Sequence, residues 1–453
     1  MAKSKVKRGF LFYLIMFLAF VLGIFCILAV VLIFNPGEDI YGINLRYVSY
    51  KNAKEIYRYT DNDIRISDTT YTTVEFNSGF TNFNIKYDSS ESNALVYFSP
   101  MVNALSRSEN IDFTVSVTLV GETLKIDVTE PELWIGFGMS ATVTMVCPKN
   151  KNFADKTFNI TTETGSIAFG DTTNNNHSVK EIFAKSKSGE ITVNKNVSIT
   201  TGNATIETEN STINYYNENT SDLNITNVNG RINITKTNGN LHILNTGTLE
   251  ANCGTIEGNI LLESTKGYIN INELGTTEEN GNFTTVNNCQ LTNITIKKMY
   301  GNAIVDLTDG FVVIEEIAKR ATIETTNGTV EIKKANDNVN ISTQNGAVTL
   351  YQNSEAAITS VVTKKGKITS YFAQIGTVSL STENSDIEIN VVTGQPFKLI
   401  YETKDGITAS WSTSTLEKNG TLLVSGATES TTNVIEALAT NGKINVKEGY
   451  KVA

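Results

Sequence analysis

The chain has 453 residues, 40% hydrophobic and 19% charged, with 37 basic and 47 acidic residues and a formal charge of -10. Lys3, Lys5, Lys7 and Arg8 precede the first acidic residue, Glu38, so the remainder holds 33 basic against 47 acidic residues, a net of -14. That surface repels phosphate backbones and argues against nucleic acid as a partner.

Residues 1–8 read as a short basic cytoplasmic tail. Residues 9–34 contain no charged side chain. As a helix at about 1.5 Å per residue they would span roughly 39 Å, enough to cross a bilayer core with some tilt. Phe10, Phe12 and Tyr13 at one end and Phe34 at the other suit the interfaces. The preceding basic cluster keeps this end inside by the positive-inside rule and sends the rest outside. A cleaved signal peptide would have an apolar core of about 7–15 residues ending in small residues, whereas this one ends Val30 to Phe34, then Asn35-Pro36. The expectation is a single-pass signal-anchor in the cell membrane, with the lipid bilayer as partner of residues 9–34. The N-terminus is then cytoplasmic and the C-terminal domain extracellular.

Residues 35–71 read as a juxtamembrane linker or cap. Pro36-Gly37 ends the helix, and Tyr41 to Tyr59 is rich in tyrosine. From residue 72 to 453 the pattern is strand-like. Val74 and Phe76, then Phe83, Ile85 and Tyr87, alternate with polar residues, and Asp88 to Asn110 reads as a longer loop. From about Phe158 a repeat emerges, in which a glycine is followed by apolar residues two and four positions later. Gly165, Gly189, Gly230, Gly239, Gly258, Gly267, Gly328, Gly346, Gly376 and Gly442 all head such a unit. Spacings near nine, doubled near nineteen, predict a turn and a half-buried strand stacked many times. The glycines are expected to turn the chain at positive φ.

Two architectures fit. In a β-solenoid each strand pairs with its equivalent one coil away. In a meander, Asn229-Gly230, Asn327-Gly328 and Asn345-Gly346 are two-residue hairpin turns. Size favours the solenoid, since a meander of so many strands would have to split or close into a very large barrel. Roughly twenty coils of nineteen residues would make a rod on the order of 90 Å long. Tyr41–Tyr71 and Glu436–Ala453 are the expected end caps, because an open end is a bare sheet edge.

Thr73 to Gly79, Val143 to Pro148, Thr162 to Ile167 and Lys187 to Val193 give the chain a family look. Over most of residues 72–450 it resembles a bacterial β-strand-repeat family named "putative adhesin", a domain family of unknown function. The resemblance implies a right-handed parallel β-helix, all-β, behind one N-terminal transmembrane helix. It implies no catalytic residues.

Chemistry is sparse. His177 and His242 are the only histidines, and no nucleophile–His–acid set, phosphate loop or zinc-protease motif is present. Asp386 and Glu388 alternate with Ile387 and Ile389, so they point outward roughly 7 Å apart, a glycosidase-like separation with no Arg or His to tune it. Asp306 and Asp309 flank a turn but lack the ligand spacing of a calcium loop. Cys147, Cys253 and Cys289 can make at most one disulfide and read better as buried apolar residues. Asn224, Asn233, Asn293 and Asn340 head chance acceptor triplets. Trp134 and Trp411 are candidate binding aromatics, although Trp411 shares the parity of Ile407 and Ala409 and suits a core or end cap better. No catalytic, cofactor or metal residue is expected. The expected role is a non-enzymatic surface adhesion or binding module for a glycan or protein ligand. The alternatives are a structural or sensory envelope rod working with a membrane partner and, more remotely, a polysaccharide-active enzyme.

Overall fold

The computed structural model describes residues 10–34, 46–51, 54–57, 71–88, 95–106, 114–130, 135–148, 153–171, 177–217, 222–277, 280–286, 289–410, 415–418 and 421–450. An α-helix spans Phe10–Phe34, 25 residues without a charged side chain. Its side chains are described only between residues 14 and 26, where nearly all are exposed. Among the described residues no helix is long and apolar enough to cross a membrane.

The remainder is β. Strands such as Ala321–Thr325 and Val339–Thr343 alternate small or β-branched inward residues with polar outward ones, the pattern of a strand buried on one face. Equivalent strands of successive coils pair in parallel and in register, Ala321 with Val339 and Ile323 with Ile341. The columns thus formed, Ile191 over Ile213 over Ile232 for example, fill one continuous core. Most coils hold two strands, and a 35-stranded sheet folds over at the turns into two walls. In three central coils, Asp222–Thr237, Asn240–Ile256 and Ile260–Leu274, both strands run on as one bent strand. This is the solenoid and not the meander.

The turn between the walls carries a recurring Thr-x-x-Gly. The Thr325 hydroxyl accepts from Gly328 N at 2.5 Å, and Thr343 accepts from Gly346 N at 3.0 Å. Thr363 donates to Gly366 O at 2.6 Å. Each buried hydroxyl satisfies backbone groups that the turn would otherwise strand.

The glycines do not serve the expected purpose. Of the ten named above, only Gly267 has positive φ. What they provide is closeness. A Cβ on Gly165 would come within 3.0 Å of Thr81 O, and one on Gly189, Gly346 or Gly442 would meet Gly165 O, Gly328 O or Ser385 O just as closely. The turns stack carbonyl onto α-carbon, and only glycine leaves the room.

Sixteen coils stack among the described residues, counting each two-strand pair and each long bent strand once. At about 4.8 Å each the stack is roughly 70–75 Å long, shorter than the sequence suggests. The difference is chain that runs antiparallel at the ends. Leu95–Ser106 pairs antiparallel with Ile135–Pro148, and Arg46–Lys51 and Lys54–Tyr57 pair antiparallel with Leu95–Ser106. Thr114–Val120 closes the other wall on Thr123–Thr129. At the far end Thr421–Val424 and then Thr415–Lys418 cover Phe397–Thr403.

Both ends are also interleaved. Thr73–Ser78, first in sequence among the coils, lies between Thr123–Thr129 and Thr157–Thr162. Val434–Ala439 lies between Thr377–Thr382 and Phe397–Thr403. The stretch expected to cap the C-terminal end is therefore an interior coil. Of the expected N-terminal cap, residues 46–51 and 54–57 do take part, and residues 41–45, 52–53 and 58–70 lie outside the described residues. The Glu130 carboxylate secures the first turn, accepting from Gly79 N, Phe80 N, Thr81 N and the Thr81 hydroxyl at 2.6–3.0 Å.

Candidate functional site

The outward faces hold whatever this rod can offer a ligand. Their polar side chains are tied between coils. At one turn Asn240 donates both its backbone N–H and its Nδ2 to Asp222 Oδ1, at 2.8 and 3.0 Å. Asn259 does the same to Asn240, Asn282 to Asn259 and Asn302 to Asn282, all between 2.8 and 3.1 Å. At the other turn Asn327 donates to Asp309 at 2.7 Å and Asn345 to Asn327 at 2.6 Å. Replacing Asn259 with Asp sets an acceptor against the Asn240 acceptor and removes a donor. We expect Asn259→Asp to destabilise the stack by about 1–2 kcal/mol at neutral pH. The loss should largely recover once acid protonates the introduced carboxyl, which can then donate. Urea titrations at the two pH values read this directly.

Charges pair across coils in the same way. Lys185 reaches Glu207 at 2.8 Å, Arg231 reaches Glu250 at 2.7 Å, and Lys334 reaches Glu316 at 2.7 Å. Exposed pairs of this kind contribute little stability each.

Glu388 is clamped between two lysines. Lys367 Nζ lies 2.6 Å from it and Lys447 Nζ 2.8 Å. The hydrogen bond from Lys367, then that from Lys447, holds its carboxyl at a pKa of about 2. Its neighbour Asp386 accepts from Lys443 N at 2.8 Å. A glycosidase pair needs one carboxyl raised so that it can donate a proton, and Glu388 is shifted the opposite way. Glu388, clamped by the two lysines, instead contributes stability that is complete above the ordinary glutamate value of about 4.3 and is lost as pH falls through about 2. Glu388→Gln should flatten the acid limb of a thermal-stability profile between those two values.

Beside this clamp lies an aromatic cluster. Tyr351 and Tyr371, one coil apart, stack at 4.2 Å between ring centroids with 5° between planes. Tyr450 leans against both, 5.2 Å from Tyr371 and 6.2 Å from Tyr351. Its backbone N and that of Gly449 both donate to Val391 O. All three rings are half-buried, and burial raises the pKa values of Tyr351 and Tyr450. The strand register carries this column on from Tyr371 to Asn390 and Lys447. Asn390 is buried, its Nδ2 donating to Ser370 O, so the rings and the Lys447 charge share the surface.

The other sequence candidates are dispersed. His242 lies outward between Asn224 and Leu261, whereas His177 is in a separate two-stranded sheet with Val197–Ile199. Asp309 begins an asparagine row, and Asp306 N donates to Thr285 Oγ1. Among the described residues no three His, Cys, Asp or Glu side chains gather to hold a metal ion. Cys147, Cys253 and Cys289 are buried, and none is in a disulfide. Burial alone pushes the Cys253 thiol to about 12, which makes it unreactive. Asn233 donates to Asn214 within the wall, and Asn293 accepts from Phe311 N. Trp134 and Trp411 lie outside the described residues. Sequence reasoning missed the tyrosine cluster and the two lysines on Glu388. A signal for the first was there, since Tyr351 and Tyr371 are one repeat apart.

Residues 102–276 match the model of the Toastrack DUF4097 family, a family of unknown function. That stretch runs from the antiparallel N-terminal strands through the coil Ile260–Leu274. No curated protein matches the chain. Solved structures similar to it include one titled a "putative cell adhesion protein" from Clostridium sporogenes, at 8% identity, covering 89% of this chain and 100% of that one, with a TM-score of 0.16. Another is a "putative adhesin" from Bacteroides fragilis, at 9% identity over 89% and 96% of the two chains, TM-score 0.18. A third is a "putative lipid binding protein" from Parabacteroides distasonis, at 10% identity over 89% and 96%, TM-score 0.15. At such TM-scores the whole-chain superpositions are poor.

Proposed function

We propose that this chain, with a Toastrack domain across residues 102–276, is a non-enzymatic binding module on the cell surface. It is a right-handed β-helix tethered to the outer face of the membrane by the helix Phe10–Phe34. The tether rests on 25 uncharged residues directly after a basic cluster. Extraction of membranes at high pH tests it, since release of the full chain into the supernatant would overturn it.

The observation that carries the binding reading is the tyrosine cluster. Tyrosines held rigidly offer amphipathic contact area at little entropic cost, and these three sit beside the charged groups of the Glu388 clamp. The ligand class is a surface glycan or an exposed protein. Arrays of both, probed with residues 46–453, provide the test. The fragment begins at 46 because Arg46–Lys51 and Lys54–Tyr57 belong to the cap. Tyr351→Ala with Tyr371→Ala should lower binding at least tenfold while leaving the β-type circular dichroism intact. Silence on every array would favour instead an envelope rod that works with a membrane partner.

A further inference from the structure

We propose that Asn441 is a site of spontaneous deamidation, and that the reaction loosens the last coil. In an Asn-Gly turn the glycine nitrogen can attack the asparagine side-chain carbonyl carbon. The new C–N bond closes a succinimide ring, and the amide nitrogen leaves as ammonia, taking up the glycine proton. Water then opens the ring, at one carbonyl to aspartate and at the other to isoaspartate, whose backbone is one carbon longer. A hydrogen bond that holds the glycine N–H opposes the first step, because it must break before the nitrogen can attack.

Asn229-Gly230, Asn327-Gly328, Asn345-Gly346 and Asn441-Gly442 lie on the same side of the stack. In two of them a buried threonine takes the glycine N–H, Thr325 from Gly328 at 2.5 Å and Thr343 from Gly346 at 3.0 Å. In Asn229-Gly230 the amide itself is pinned at both ends, Nδ2 donating to Asn210 at 3.2 Å and Oδ1 accepting from Thr248 N at 2.9 Å. The fourth turn has neither device. In register, Thr325, Thr343, Thr363 and Thr382 form a column that runs on to Ala439 and then Thr403. Ala439 is fully buried and brings a methyl group where the others bring a hydroxyl. Thr403 reaches across from the next coil to Gly442 O at 2.6 Å, but Gly442 N makes no hydrogen bond among the described residues. Asn441 is exposed and tied by one bond, Nδ2 to Asn384 at 3.0 Å, just as Asn345 is tied to Asn327 at 2.6 Å. The turns at Asn345 and Asn441 therefore differ chiefly in the threonine hydroxyl.

The position of the turn gives the product its effect. A Cβ on Gly442 would already lie within 3.0 Å of Ser385 O, so an extra backbone carbon has no room and must push the turn off the coil below. Aspartate would set its carboxylate against the Asn384 acceptor. Either product loosens residues 434–448, which are hydrogen-bonded to a coil on each side. It also frees Lys447 from Glu388 and Tyr450 from Tyr371. A consequence for ligand binding rests on the tyrosine-cluster reading above, whereas the reaction itself does not.

The full chain in detergent, held in mildly alkaline buffer at physiological temperature and sampled over days, reads the reaction by peptide mass mapping. Asn441 should convert about fivefold faster than Asn345 or Asn327, the equivalent of the one net hydrogen bond those turns must break first. Ala439→Thr completes the threonine column and should slow Asn441 to the rate of Asn345. Thr343→Ala should speed Asn345 to the rate of Asn441. Hydrogen exchange across residues 434–450 should quicken as the modified fraction grows. Equal rates at Asn441 and Asn345 in the unaltered chain overturn the proposal. So does an Asn441 rate that Ala439→Thr leaves unmoved while circular dichroism is unchanged, or full modification with undiminished exchange protection. No readout here uses a ligand, so these outcomes are separate from any failure of the binding reading.

Discussion

Gly346→Val opens the middle of the stack. The new side chain would have its Cβ inside 3.0 Å of Gly328 O and of the Thr343 hydroxyl, so the turn must move off the coil below it. Backbone has nowhere to yield here, because Gly366 rests on Gly346 in the same manner. We expect a loss of about 3 kcal/mol or more, in the range of overpacked cores. Each coil contacts only its neighbours, so the damage should be local. Hydrogen exchange should accelerate across residues 321–372 and stay slow across 157–215. Gly394→Ala is the control. Gly394 has φ of 84° and no atom within 4 Å of a prospective Cβ, so it should cost only about 1 kcal/mol, the penalty of a left-handed backbone. Equal effects from the two variants would show that close approach does not fix the column.

The second large effect comes from the C-terminal end. Removing residues 434–453 takes away a coil that is hydrogen-bonded on both sides. Phe397–Thr403 loses its parallel partner and keeps only Thr421–Val424, and Ile407–Ser410 loses Ile444–Glu448. Residues 397–424 should therefore lose protection although none of them has been deleted. The exposed edge of Thr377–Thr382 and Ile387–Val391 should then promote aggregation. Replacing residues 395–431 with a short glycine-serine loop should be milder. It removes the outermost coil and its antiparallel strands but leaves Val434–Glu448 stacked on Thr377–Val391. If the two deletions are equally damaging, the interior placement of the last coil is wrong.

These ends show where sequence stops being informative. Strand existence and facing were legible, because burial alternates with a period of two and each coil repeats the last. Partner choice was not. Val378 and Leu380 present the same aliphatic column to Ile435 and Ala437 as they could to Leu399, and no side chain encodes which comes next. The glycines were visible, but one residue type serves both positive φ and close approach, so their purpose was misread. The buried threonine three residues before several of them was equally visible, but it lies upstream of the glycine, outside the apolar pattern that defines the repeat. The lysines on Glu388 come from 21 and 59 residues away. The first is one coil distant and could have been found from the period. The second depends on the interleaving and could not.

The asparagine rows have an electrical sense. Every Nδ2–H in the row from Asn240 to Asn302 points toward the entering end of the rod, and every Oδ1 points the other way. Aligned amide dipoles of this kind sum, as they do along a helix. The donor-facing terminus is Asp222, a full negative charge, and the coil position after Asn302 is Arg320. The shorter row begins at Asp309 and is followed by Lys365. Each row is thus a short dielectric wire with its ions placed to match its polarity. Its length is bounded by charge and not by the number of coils available.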